Sequence, residues 1–286
     1  MTATNLVKFQ VHHRVNNKWT VLWIPGCGSF GVVCKVCDDE GYLYALKTEK
    51  YTPKNALKVE VKVLQTGEKQ KLKYFLKLLD CGTCKSPEGD AIEELHNMGY
   101  QHRDIKAANF AIGAVERQQI YIIDFGLCRS FFDEFGSMRR PRKVAPFRGT
   151  VRYAPLACHI LRETCRKDDL ESWLYSQIEY TRASLPWRDL NKIIDVGLYK
   201  ERCRHDIGLG ELMGECPREY INILRYLDSL TFYEKSDYEK CRRRLKAAGM
   251  VLGGYKPTYD WIDENLRAGN GNAELTVDTS AAQEVA

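Results

Sequence analysis

The stretch from His102 to Gly126 restricts the possible folds more than any other. Its first part, His102-Arg103-Asp104-Ile105-Lys106-Ala107-Ala108-Asn109, is dense in acids, bases and amides, and Asp124-Phe125-Gly126 follows after a short interval. Between them, Phe110-Ala111-Ile112 and Ile120 to Ile123 flank a polar turn, which predicts a β-hairpin. The midpoint of 109 and 124 lies between Glu116 and Arg117, inside that turn. Asn109 and Asp124 are therefore expected to face each other at the hairpin's open end. Their oxygens are hard ligands of the kind magnesium prefers. Asp104, five positions before Asn109, can orient a hydroxyl and receive its proton. Lys106 can neutralise charge on a moving phosphoryl group.

Upstream, Gly26-x-Gly28-x-x-Gly31 followed by Val33 lies between strand-like segments. Such glycines serve equally as a plain hairpin turn or as a loop whose bare backbone approaches phosphates. A strand follows them, not a helix, which argues against a dinucleotide-binding fold and for a flap over ATP. Gly41 to Glu49 alternates, with Leu43, Ala45 and Lys47 on one strand face and Tyr42, Tyr44 and Leu46 on the other. A helix is expected from about Lys54 to Gln65, with Leu57, Val61 and Leu64 as its apolar stripe. Glu60 interrupts that stripe. A carboxylate on an inward face needs a partner, and Lys47 is the economical one, a pair that would aim the lysine at ATP phosphates. Taken singly, each reads equally as a solvated edge residue.

Composition sets outer limits. The chain has 286 residues, 44% hydrophobic and 28% charged, which fits a globular protein with one or two domains. A formal charge of +5 is too small, without a matching motif, to imply nucleic acid. No stretch approaches the ~20 apolar residues of a membrane span, and residues 1–19 hold no signal-like apolar run. The 11 cysteines are thus expected as free thiols in a reducing compartment, cytoplasmic or nuclear. Cys34-x-x-Cys37 and Cys81-x-x-Cys84 resemble a zinc spacing, but the first pair sits in a strand, where residues three apart point to opposite faces. Zinc is not expected.

Tyr74 to Leu79 is a further strand candidate. Asp168-Asp169 heads a buried helix from Leu170 to Tyr180, and helices are expected at about Pro217 to Leu230 and Ser236 to Ala247. Residues 267–286 have few large apolar groups and read as a disordered tail.

Taken together, the Gly loop, Ala45-Leu46-Lys47, Glu60, His102-Arg103-Asp104 and Asp124-Phe125-Gly126 resemble the eukaryotic protein-kinase signature. Lys106 looks like the serine/threonine version. Phe147-Arg148-Gly149-Thr150-Val151-Arg152-Tyr153-Ala154, Asp168-Asp169-Leu170-Glu171-Ser172 and Leu185-Pro186-Trp187 are similar to the casein-kinase-one superfamily, and Arg140-Pro141-Arg142-Lys143-Val144-Ala145 to its tau-tubulin kinase branch. The resemblance implies an α+β bilobal fold with a β-rich N-lobe and a larger helical C-lobe. It divides the chain into an extension (1–18), the N-lobe (19–85), the C-lobe (86–266) and the tail. It implies ATP and Mg2+, with Gly26, Gly28, Gly31, Val33, Ala45, Lys47 and Glu60 around the nucleotide, Asn109 and Asp124 on the metal, and Asp104, Lys106 and Lys47 catalytic.

Two departures qualify it. Ala154-Pro155-Leu156 stands where most kinases have Ala-Pro-Glu, as in the superfamily it resembles. Glu60 and Asp104 are only 44 positions apart, so a hinge strand and parts of two C-lobe helices are missing around Pro87 to Asp90. The expected function is transfer of the γ-phosphate of Mg-ATP to a protein serine or threonine. The alternative is a catalytically impaired kinase-like scaffold, and a basic nucleic-acid binder is a third, weaker idea. A monomer acting on protein substrates, away from membranes, is expected. Arg139, Arg140, Arg142 and Lys143 border the substrate groove of the resembled family and point to acidic or phosphorylated substrates.

Overall fold

The computed structural model describes residues 11–12, 14–15, 19–28, 31–48, 56–72, 74–76, 88–113 and 119–251. All of them fall in the first of two compact units, 1–255 and 256–286. Of the place read above as shortened, around Pro87 to Asp90, residue 87 lies outside the described residues, as do 77–86 with Cys81 and Cys84 and the tail, while 88–90 begin a helix.

Strands β1 (Arg14–Val15), β2 (Trp19–Gly28), β3 (Gly31–Cys37) and β4 (Leu43–Thr48) form one antiparallel sheet in chain order. Alternation along β3 explains its two faces. Val32, Cys34 and Val36 are buried with Val21 against Tyr44 and Leu46 in a small core of their own. The register Val33↔Lys47 and Lys35↔Ala45 places Val33, Ala45 and Lys47 on the opposite, open face. Cys34 is buried and Cys37 only half so, on opposite faces of the strand. Gly28 pairs with Gly31 at the tip of the β2–β3 hairpin, so the glycine cluster is followed by a strand.

Helix α1 (Ala56–Lys69) overlaps the predicted segment from its third residue and runs one turn further; Lys54, Asn55 and the side chain of Leu57 lie outside what is described. Among the described positions, Glu60, Val63, Leu64 and Gly67 are buried, at the i, i+3, i+4, i+7 spacing of one helical face. Val61, which the sequence put on the inner stripe, is only half-buried. The stripe is rotated toward Val63, which leaves Glu60 at its centre.

The larger lobe contains α2 (Glu88–Asn97), β5 (Tyr100–Gln101), β6 (Phe110–Ile112), β7 (Ile120–Ile122), β8 (Arg129–Ser130), α3 (Leu156–His159), α4 (Arg166–Arg182), α5 (Ile193–Arg202), α6 (Asp206–Met213), α7 (Arg218–Ser229) and α8 (Tyr238–Val251). Helix α4 is its axis. Leu170, Trp173, Leu174, Tyr175 and Ile178 are all buried, as expected of a helix enclosed on most sides. The carboxylate of Asp168 accepts the Cys165 backbone N–H at 2.6 Å and closes a capping box at its start. Helices α5 and α6 were not foreseen; of the expected Tyr74 to Leu79 strand, residues 77–79 lie outside the described residues, and 74–76 carry a parallel bridge from Phe75 to Ile122. Among the described residues no helix is long and apolar enough to cross a membrane.

The fold is therefore α+β and bilobal, an antiparallel-sheet lobe above a helical one. An apolar column joins them. Phe75 stacks on Phe125 at 5.4 Å, His102 meets the same ring edge-on at 5.6 Å, and Val63 and Leu64 of α1 belong to the large core. Phe75→Ala would open a cavity in this column and should lower unfolding stability by about 3–5 kcal/mol. Phe135→Ala, at a side chain 85% exposed, should change it by less than about 0.5 kcal/mol. Urea denaturation of both variants checks this.

Candidate active site

Two polar clusters form where the lobes meet. In the upper one, β4 delivers Lys47 and the inner face of α1 delivers Glu60. The lysine Nζ lies 2.7 Å from Glu60 Oε2 and 2.7 Å from Asp124 Oδ1. One cation is thus shared by two carboxylates. Burial pulls the ammonium down, but the two carboxylates outweigh it and its pKa stands above the ordinary lysine value. Glu60 is raised by burial, which Lys47 offsets only in part. Two carboxylates against one ammonium leave a surplus of negative charge in a half-buried space, which suits a further cation.

Asp124 reaches this position through its backbone. Its φ of 62° and ψ of 66° lie in the left-handed region, which takes the chain out of β7 and turns Phe125 into the column. The hairpin β6–β7 forms as predicted, but its register is one residue different. Phe110 pairs with Ile122, and the Ile123 N–H donates to the Asn109 carbonyl at 2.9 Å. Asn109 is thus opposite Ile123, with Asp124 one position beyond, at the same end of the hairpin. The register is already set toward the turn, where the Gly113 N–H donates to the Gln119 carbonyl at 2.7 Å, so 109 and 124 are not its centre.

The lower cluster is built on Asp104. Its Oδ1 accepts the Thr150 N–H and the Thr150 hydroxyl, each at 2.8 Å, and its Oδ2 accepts the Lys106 ammonium at 2.8 Å. Lys106 also donates to Thr150 Oγ1 at 2.7 Å. A hydroxyl that donates to Asp104 and accepts from Lys106 is the arrangement a serine or threonine substrate would reproduce. Asn109 donates through Nδ2 to the Asp104 carbonyl at 2.7 Å, which turns its amide oxygen away from that carbonyl. Gly149 makes the closure possible. Its φ is 100°, and a Cβ there would lie 2.7 Å from the Arg103 carbonyl oxygen.

Sequence reasoning quoted Thr150 and Asp169 within motifs but gave neither a place in the site. Asp169, buried at the start of α4, accepts the backbone N–H groups of His102 at 2.7 Å and Arg103 at 2.9 Å. It was read as a helix-starting acid like its neighbour, and only Asp168 fits that description. The signal was present in two adjacent acids followed directly by the apolar positions Leu170, Trp173 and Leu174, all buried.

The four predicted patch cations are not equivalent. Arg142 is clamped on Glu163, with Nη2 to Oε1 at 2.9 Å and a second bond from Nε to Oε2, and Arg129 reaches the same carboxylate at 3.1 Å. Arg139 donates through Nε to the Phe132 carbonyl at 3.0 Å. Arg140 and Lys143 are exposed. Of the four, Arg142 is engaged by Glu163 and Arg139 by a backbone carbonyl.

The chain is similar to several eukaryotic proteins. A Dictyostelium discoideum protein described as a probable serine/threonine-protein kinase is 29% identical over 89% of this chain and 58% of its own length. The serine/threonine-protein kinase spe-6 of Caenorhabditis elegans is 28% identical over 87% of the chain and 77% of its own. A second nematode protein with a serine/threonine-kinase description is 29% identical over 90% and 86%. These similarities support a protein-kinase family. This chain spans little more than half the length of the Dictyostelium kinase. That alignment runs over 297 positions while matching 89% of a 286-residue chain, so the kinase carries residues with no counterpart here. No protein-family model matches the chain.

The Glu163 clamp has a pH signature. Burial alone would raise this carboxyl, but Arg142 and Arg129 outweigh it and hold it below the ordinary value of 4.5. A carboxyl lowered on folding adds stability above its unfolded pKa, and that addition is lost as pH falls through the folded value. Glu163→Gln should therefore cost about 1–3 kcal/mol at pH 7, and the gap between variant and parent should narrow below pH 4.5. Urea midpoints measured across pH 3 to 7 check this.

Proposed function

We propose that the chain is a serine/threonine protein kinase that transfers the γ-phosphate of Mg-ATP to a protein hydroxyl. The observation that carries this is Lys47 at 2.7 Å from both Glu60 and Asp124, because a kinase needs that lysine–helix pair and the metal-binding aspartate assembled together. Lys47 would hold ATP phosphates, under a β2–β3 hairpin whose Gly26, Gly28 and Gly31 leave the backbone bare. Val33 and Ala45, on the open face beside Lys47, would cover the base. Asp124 and the amide oxygen of Asn109 would hold magnesium, and the surplus negative charge around Lys47 fits a divalent ion. Magnesium bound there would withdraw charge from the phosphoryl oxygens.

A substrate hydroxyl would sit beside Asp104 as the Thr150 hydroxyl now does; as its oxygen bonds to the γ-phosphorus and the bond from that phosphorus to the β,γ-bridging oxygen breaks to release ADP, Asp104 would receive the hydroxyl proton. Lys106, donating to Asp104 and Thr150 at once, would offset charge on the phosphoryl group. The finer likeness to the casein-kinase-one superfamily and its tau-tubulin branch is part of the proposal. So is a preference for acidic or phosphorylated substrates, for which Arg140 and Lys143 are the candidates. A second reading is a kinase-like binding module. The residues that relatives carry and this chain lacks favour it, since adenine would lose backbone hydrogen bonds at a missing hinge, about 0.5–1.5 kcal/mol each.

The test is phosphate transfer to casein by the purified chain. Asp104→Asn and Asp124→Asn should each reduce it about 100-fold or more, through loss of the proton acceptor and of a metal ligand. Parallel titration of ATP and inorganic triphosphate should give similar affinities if the adenine end is poorly held. Undiminished transfer by Asp124→Asn would remove the metal assignment, and no transfer by the parent chain would favour the binding module.

A further inference from the structure

Helix α5 carries a lysine with no solvent exposure. Lys200 enters the core beneath the segment that presents Thr150 to Asp104, and it is among the largest fully buried side chains. Its Nζ donates to the Val151 carbonyl at 3.1 Å and the Ala154 carbonyl at 2.6 Å, and it lies 3.2 Å from His159 Nε2. The faces of Tyr175 and Trp187 lie 4.8 and 5.0 Å from it. The histidine's role follows from its other nitrogen. Nδ1 lies 2.8 Å from the Ile193 carbonyl, so Nδ1 holds the proton and Nε2 is left as an acceptor.

Three acceptors therefore meet the three N–H bonds of one ammonium. Two belong to the backbone on either side of Tyr153, and Trp187 Nε1 donates to the intervening Arg152 carbonyl at 2.8 Å. Buried donors thus hold the carbonyls of 151, 152 and 154. The same turn closes on Thr150, whose carbonyl accepts the N–H groups of Tyr153 at 2.9 Å and Ala154 at 2.8 Å. Gly197 permits the approach of α5, since a Cβ there would lie 2.8 Å from that of His159. Burying a cation is costly, and an apolar side chain of the same length would fill this space more cheaply. The donor count explains why a lysine stands here.

We propose that Lys200 is a positioning residue that fixes residues 150–154, and through Thr150 sets the substrate side of Asp104, without touching the nucleotide side. The kinetic part rests on the kinase reading; the structural part does not. Burial depresses the lysine to about 7 and His159 to about 4, consistent with a neutral imidazole acceptor.

Lys200→Met keeps the stem and removes all three donors. Amide hydrogen exchange should then quicken about tenfold at 150–154, the equivalent of one to two net hydrogen bonds, and stay unchanged at 170–178 in α4. Lys200→Gln, which keeps two donors, should restore part of the protection, and it carries the same measurement should Lys200→Met fail to fold. In a phosphotransfer assay, KM for a peptide should rise about tenfold while KM for ATP moves less than about twofold. Equal acceleration in both segments, or none in either, would overturn the proposal. A parent chain without phosphotransfer would overturn the kinase reading, with the exchange result still deciding the role of Lys200.

Discussion

The candidate site hangs from one buried carboxylate, that of Asp169. Asp169 accepts two consecutive backbone N–H groups, those of His102 and Arg103, and His96 Nε2 lies 2.9 Å from its Oδ2. Without it, two amides at the centre of the larger lobe would be buried unpaired. The bonds also sustain an uncommon backbone, since Arg103 has φ 67°, a left-handed conformation that persists only where its surroundings enforce it. Asp104 is the next residue, so its direction is inherited from that turn. Helix α4 is the rigid origin of the site, and the loop above it is aimed from below.

The division of polar work between lobes follows from the two cores. The small core lies on one face of the sheet, which leaves the face bearing Val33, Ala45 and Lys47 open. The large core extends upward through Phe125 and Phe75 to α1. Glu60 therefore sits on the helix packed against the larger lobe's apolar column, while Lys47 sits on the sheet. Their ion pair measures whether the two lobes are correctly set against each other.

How much the sequence disclosed depended on range. His102 to Asn109 and Asp124 to Gly126 were readable because their chemistry lies in consecutive residues and a short hairpin brings them together. The inward face of Glu60 was readable from helical spacing, though the stripe around it was displaced. The hairpin register was missed by one because pairing is set at the turn, from Gly113 and Gln119 onward, and not by Asn109 and Asp124 at the open end. Arg142 looked free because its partner lies 21 positions away. Helix α5 was hidden by an inverted pattern: Ile194 and Leu198 are exposed while Gly197 and Lys200 are buried. A periodicity argument assigns those faces the other way round.

The Glu163 clamp also has a meaning in polymer terms. Arg129 and Glu163 are 34 positions apart, and Arg142 and Glu163 are 21 apart. Tying both arginines to one carboxylate divides a long tether into two shorter closed loops. The entropy of closing a loop grows only with the logarithm of its length, about 0.6 kcal/mol per doubling. Most of that cost is met once, as the chain folds, and very little is left for an incoming molecule. The basic stretch 139–143 thus lies on a closed ring, and a partner that binds there meets a backbone whose closure cost has already been met in folding.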